Sequence, residues 1–64
     1  MSTDADRAVE RVLESLRERP ALNTPALIAQ DLGIERDEAE RALETLKADG
    51  TVKQSVMGWK LPRS

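Results

Sequence analysis

Pro20, Gly33 and Gly50 interrupt a chain of 64 residues at intervals that leave room for three helices and one short hairpin. Each breaker acts through a backbone restriction. A residue before proline is pushed out of the helical region, so Arg19 followed by Pro20 ends a helix begun near the N-terminus. Glycine enters the left-handed region without steric penalty, so Gly33 and Gly50 each predict a helix stop. Between the breakers the apolar spacing is helical. Ala5, Ala8, Val9, Val12, Leu13 and Leu16 predict an amphipathic helix over residues 4–18, with Thr3 or Asp4 as its cap. Thr24 and Pro25 form a second start, a hydroxyl acceptor followed by a proline at N1, and predict a short helix over 25–31. Ile34 returns to the core, and Ala39, Ala42, Leu43 and Leu46 share one face of a third helix over 36–49. Beyond Gly50 the period becomes two. Val52 stands between Thr51 and Lys53, and Trp59 and Leu61 flank Lys60, which predicts a hairpin over 51–61 turning at Ser55 to Gly58. The fold class is mainly α with a small β-hairpin (α+β), in one domain over residues 1–64.

The chain is too short for more than one core. It has no cysteine and no histidine. That excludes disulfide staples, thiolate or imidazole metal sites and nucleophile–histidine pairs. The carboxylates fall on solvent-facing helical positions, and the three glycines form no phosphate-cradling loop. The expectation is therefore a non-enzymatic protein with no catalytic residue, metal, cofactor or small-molecule substrate. The longest apolar run, Ala26 to Ala29, is far below the roughly 20 residues of a spanning helix. No basic segment precedes an apolar stretch near the N-terminus, so neither a membrane segment nor a secretory signal is expected, and the reading is cytoplasmic.

Charge is distributed unevenly. Through residue 46, six arginines face eleven carboxylates, a net of −5; from residue 47 onward Lys47, Lys53, Lys60 and Arg63 face only Asp49, a net of +3. The C-terminal quarter is the anion-facing part of the chain.

A long helix, a short one entered through Thr24 and Pro25, a tight turn at Leu32, Gly33 and Ile34, a third helix and a hairpin ending in Trp59, Lys60 and Leu61 together resemble the winged helix-turn-helix superfamily. The resemblance covers nearly the whole chain, and its most specific stretch is Ile28 to Ile34 followed by Ala39, Leu43, Leu46 and Gly50. It implies a three-helix bundle with a two-stranded antiparallel wing. It also implies DNA binding in transcription regulation or genome maintenance, with the third helix in the major groove and the wing on backbone or minor groove. The third helix departs from that pattern. Its polar set is Glu35, Arg36, Asp37, Glu38, Glu40, Arg41 and Glu44, five acids against two bases. Acids in the first turn occupy the positive end of the helix dipole, where a phosphate would otherwise be drawn. The hairpin is also similar to the wing of Z-DNA-binding winged helices in its final-strand tryptophan, but Glu40 and Glu44 stand where those domains carry asparagine and tyrosine.

These residues place any nucleic-acid contact mainly on the wing: Lys47, Lys53, Lys60 and Arg63 for phosphate, Gln54 as a neutral donor, and Arg36 and Arg41 as the only guanidinium groups on the third helix. Such binding is expected to be weak and salt-sensitive. Trp59, the single aromatic residue, reads as closing the core, with base stacking as its alternative role. The alternative function is a protein-interaction winged helix that docks a partner through Leu27, Val56 and Met57 together with Glu40 and Glu44. Helical spacing also predicts ion pairs Arg36–Glu40, Asp37–Arg41 and Glu44–Lys47. Too little apolar surface remains outside the core to favour a homodimer through the first helix over a monomer.

Overall fold

A computed structural model of the chain describes residues 4–62. Three helices, α1 (Asp4–Glu18), α2 (Pro25–Leu32) and α3 (Arg36–Ala48), precede an antiparallel pair of strands, β1 (Lys53–Ser55) and β2 (Gly58–Lys60). The arrangement is an α+β fold with a winged-helix-like layout: α3 lies against both α1 and α2, and the hairpin follows it.

The elements begin and end where backbone chemistry requires. The last helical bond of α1 runs from Arg19 N–H to the Ser15 carbonyl at 2.7 Å, and Pro20 then opens a turn closed by Leu22 N–H on the Arg19 carbonyl at 2.9 Å. Thr24 is extended, its Oγ1 accepts from Leu27 N–H at 3.2 Å, and Pro25 opens α2. The expected cap of α1 at Thr3 or Asp4 falls outside the described residues or their described side chains.

α2 runs to Leu32, one residue past the predicted end. Gly33 takes φ 70°, and the N–H groups of both Gly33 and Ile34 converge on the Ala29 carbonyl. This closes the last turn in a Schellman-type reversal and carries Ile34 back against the core. α3 ends at Ala48, one residue short of the prediction, with Asp49 as its cap. A second reversal follows, with Gly50 N–H on the Lys47 carbonyl at 3.0 Å and Thr51 N–H on the Leu46 carbonyl at 2.8 Å. That reversal corrects the predicted hairpin of 51–61. Thr51 and Val52 spend their N–H groups on Leu46, so the strand ladder starts only at Lys53 and ends at Lys60.

One core joins the three helices to the C-terminal arm. α1 supplies Val12 and Leu16, α2 supplies Ile28 and Ala29, α3 supplies Ala39, Ala42, Leu43 and Leu46, and the C-terminal arm supplies Val52 and Trp59. Val9, Leu13, Leu32, Ile34 and Leu61 are half-buried around it. Leu16, Ile28 and Leu43 are almost fully enclosed, each stabilising the fold by about 1.5–3 kcal/mol. Buried alanines at 39 and 42 keep the α3 surface low where the other helices cross it. The seam between α1 and α2 is closed by polar contacts. The buried Ser15 donates to Asp31 Oδ2 at 3.3 Å, Arg19 Nη1 reaches the same oxygen at 3.3 Å, and Arg11 Nη2 donates to the Leu32 carbonyl at 3.0 Å. α2 has no basic residue in its own last turn, so Arg11 brings a cation to its negative end from outside.

The hairpin is tied to the loop between α1 and α2 through Asn23. Trp59 N–H donates to the Asn23 carbonyl at 2.7 Å, and Asn23 Nδ2 donates to the Met57 carbonyl at 3.0 Å. Strands joined through two residues usually turn with positive φ in the linker. Here Val56 and Met57 both keep negative φ. Ser55 shapes the turn instead, its Oγ accepting from Met57 N–H at 3.2 Å and donating to the Gly58 carbonyl at 2.8 Å. Gly58 absorbs the remaining twist at φ 124° and lies so close to Asn23 that a Cβ would stand 2.7 Å from its carbonyl oxygen.

Gly33 and Gly58 are therefore separable by experiment. Gly33→Ala, with open space around the added methyl, should cost about 1–2 kcal/mol, the ordinary penalty of left-handed backbone. Gly58→Ala should cost more, because the methyl also displaces Asn23. Urea unfolding of the two variants checks the order.

Candidate nucleic-acid interface

The structure brings part of the predicted basic set together. Lys53 and Lys60 are direct cross-strand partners, and both are exposed. Lys47, in the last turn of α3, extends its Nζ to Gln54 Oε1 on β1 at 3.5 Å. Lys47, Lys53 and Gln54 line one shallow hollow with Gly50, Val52 and Pro62. Four of the predicted residues thus occupy a contiguous region between the end of α3 and the hairpin. Arg63 lies outside the described residues.

Two features give this region its character. The cross-strand lysines are like charges held side by side, an arrangement that weakens a strand pair. The ion pairs among the described residues are Arg19 with Glu18, Arg19 with Asp31, and Arg36 with Glu40. None of them involves a lysine. Among the described residues, the three lysines of the region therefore have no carboxylate within ion-pair distance.

Arg36 and Arg41 stand apart from that cluster. Arg36 is held by Glu40 at 3.8 Å. Arg41 is exposed on the ridge formed by Asp37, Arg41, Glu44 and Ala48, spaced at i, i+4, i+7 and i+11, so two carboxylates share its face. Glu35, at the N-cap, makes no side-chain capping bond, while Asp37 and Glu38 fill the first turn. The positive end of the α3 dipole is thus already surrounded by anions.

Two of the three predicted ion pairs are absent. Asp37 and Arg41 do not come within ion-pair distance, and neither do Glu44 and Lys47; Arg36–Glu40 alone forms. Exposed intrahelical pairs are worth only about 0.3–0.5 kcal/mol, too little to hold Lys47 against its contact with Gln54. Glu40, expected on the exposed face, is half-buried.

The apolar residues predicted outside the core are exposed: Leu27 by 40%, Met57 by 80% and Val56 completely. Trp59 is 5% exposed and belongs to the core cluster, which leaves no free ring face on which a base could stack. Two residues with long-range contacts carry no functional signal in the sequence: Ser15, which bonds Asp31 across the α1–α2 seam, and Asn23, which holds the hairpin. A serine on the apolar stripe of α1, between Val12 and Leu16, was a clue to burial alone. Asn23 carried none, because its partners Met57 and Trp59 lie more than thirty residues away in the chain.

Among the described residues, no group of histidine, cysteine, aspartate or glutamate converges as a metal site, and no helix is long and apolar enough to cross a membrane. Comparison with protein-family models, curated proteins and solved structures found no match to the chain.

The Lys53–Lys60 repulsion has a measurable signature. Lys53→Glu converts it to an attractive cross-strand pair and should stabilise the fold by about 0.2–1 kcal/mol. Lys53→Glu combined with Lys60→Glu restores repulsion and should return stability near the parent value. Urea midpoints of the three proteins check this.

Proposed function

We propose that the chain is a cytoplasmic member of the winged helix-turn-helix superfamily that binds nucleic acid through its wing, in transcription regulation or genome maintenance, and has no catalytic activity. Lys53 and Lys60 contact phosphates of one backbone, Lys47 reaches a neighbouring phosphate, and Gln54 adds a neutral hydrogen bond. The observation that carries this reading is a group of three lysines with no carboxylate within ion-pair distance among the described residues, two of them direct cross-strand neighbours. An acidic α3 that repels polyanions complements it, and recognition of this kind is indifferent to base sequence.

Fluorescence anisotropy with a random duplex tests the proposal. Three phosphate contacts imply a log–log salt slope of about −2.7, so affinity should fall roughly 40-fold between about 50 and 200 mM salt. Lys53→Glu with Lys60→Glu should abolish binding, whereas Arg41→Glu should leave it unchanged. Loss of binding in the Arg41 variant alone would move the contact to α3.

A second reading is favoured by one observation. Val56 and Met57 project from the wing tip, and the Asn23 contacts hold that tip near the start of α2, which carries Leu27. An apolar tip of this kind suits a protein partner. Absence of nucleic-acid binding even at low salt would leave that reading in possession.

A further inference from the structure

A second surface lies on the side of β2 that faces α1. Leu16, Arg17 and Pro20, at the end of α1 and in the turn after it, form a hollow with Trp59, Lys60 and Leu61. Its floor is apolar: Leu16 and Trp59 present only their last exposed edges, and Pro20 and Leu61 form the walls. The volume is about 260 Å³. A cavity of about 150 Å³ accommodates a benzene ring, whereas drug-sized ligands occupy about 300–1,000 Å³. The space therefore suits one large side chain and not a cofactor.

The charge of the hollow comes from Arg17 and Lys60. Glu18, the nearest acid in sequence to Arg17, is drawn to Arg19 at 3.7 Å. Arg19 is committed further to Asp31 at 3.3 Å. Lys60 faces Lys53 across the hairpin. Neither Arg17 nor Lys60 has an ion-pair partner among the described residues. A positive rim around an apolar floor, on a chain of net charge −2, is complementary to an apolar side chain flanked by carboxylates.

We propose that this hollow docks an acidic segment of a partner protein, inserting one leucine-like or aromatic side chain between Pro20, Trp59 and Leu61 while flanking carboxylates pair with Arg17 and Lys60. Nucleic acid fits less well, because the buried Trp59 offers an edge and no stacking face. The proposal shares only Lys60 with the phosphate-binding reading and stands independently of it. Through Lys60, the acidic segment and nucleic acid compete.

The full chain with a synthetic pentapeptide, Asp-Asp-Leu-Asp-Asp, provides the test, followed by amide chemical shifts and by emission of the single tryptophan. Expected are shifts at Arg17, Trp59, Lys60 and Leu61 and a change in Trp59 emission. Replacing the central leucine of the peptide by glycine should weaken binding about tenfold, the effect of withdrawing one partly buried aliphatic side chain. Arg17→Glu should remove binding, and the milder Arg17→Ala should weaken it with thermal unfolding unchanged. Duplex binding should be retained in the Arg17→Ala variant, since Lys47, Lys53 and Lys60 are untouched. The inference is overturned if the glycine peptide binds equally well, if a folded Arg17→Ala protein binds as the parent does, or if the shifts centre on Lys47 and Lys53. It is also overturned if a duplex, and not the peptide, moves the residues of the hollow.

Discussion

The hydrogen bond from Trp59 N–H to the Asn23 carbonyl, at 2.7 Å, makes the hairpin part of the fold. Strands of three residues joined by two have too little ladder to persist alone in water. Burial of the Trp59 side chain and capture of its backbone by Asn23 supply the missing stability. Asn23 acts as a one-residue third strand, satisfying the outward N–H of β2, and its amide takes the Met57 carbonyl at the turn. Gly58 permits the approach because no side chain stands between it and Asn23. The orientation of Lys53 and Lys60 relative to α3 follows from these contacts.

Charge is arranged around that hairpin in a way that stability alone does not explain. The exposed side of α3 carries Asp37 and Glu44 and surrounds its N-terminus with acids, which favours the helix dipole. The hairpin does the reverse by placing lysines opposite each other. In a fold of this size, whose stability is a small difference between large terms, a few tenths of a kcal/mol of like-charge repulsion matters, and among the described residues no carboxylate lies within ion-pair distance of the hairpin lysines to offset it. The hollow beside β2 repeats the theme on its other side, where Arg17 and Lys60 surround an apolar floor.

Features set by local backbone chemistry were legible in the sequence. Thr24 with Pro25, the reversal at Gly33 and the stop at Gly50 appear in place, because capping and left-handed turns depend on neighbours one to five residues apart. Trp59 in the core was legible from its alternation with Lys60, and the exposure of Leu27, Val56 and Met57 from their positions off the apolar faces. The helix ends of α2 and α3 moved by one residue, and the hairpin shortened, because Leu46 holds the N–H groups of Thr51 and Val52. Spacing overstated the ion pairs on α3. It identifies side chains that are able to meet, but an exposed pair is too weak to prevail over solvent or over a competing contact such as Lys47 with Gln54.

Element order, the apolar faces and the segregation of charge follow from residue type and period along the chain. Tertiary structure alone decided that Lys47 joins the wing while Arg36 turns to Glu40, that Ser15 and Asp31 close the seam between α1 and α2, and that Asn23 holds the hairpin. Those contacts join residues brought together only when the helices pack, and their geometry depends on how closely Ala39 and Ala42 allow α3 to approach its neighbours. No periodicity along a single segment encodes a distance between two segments.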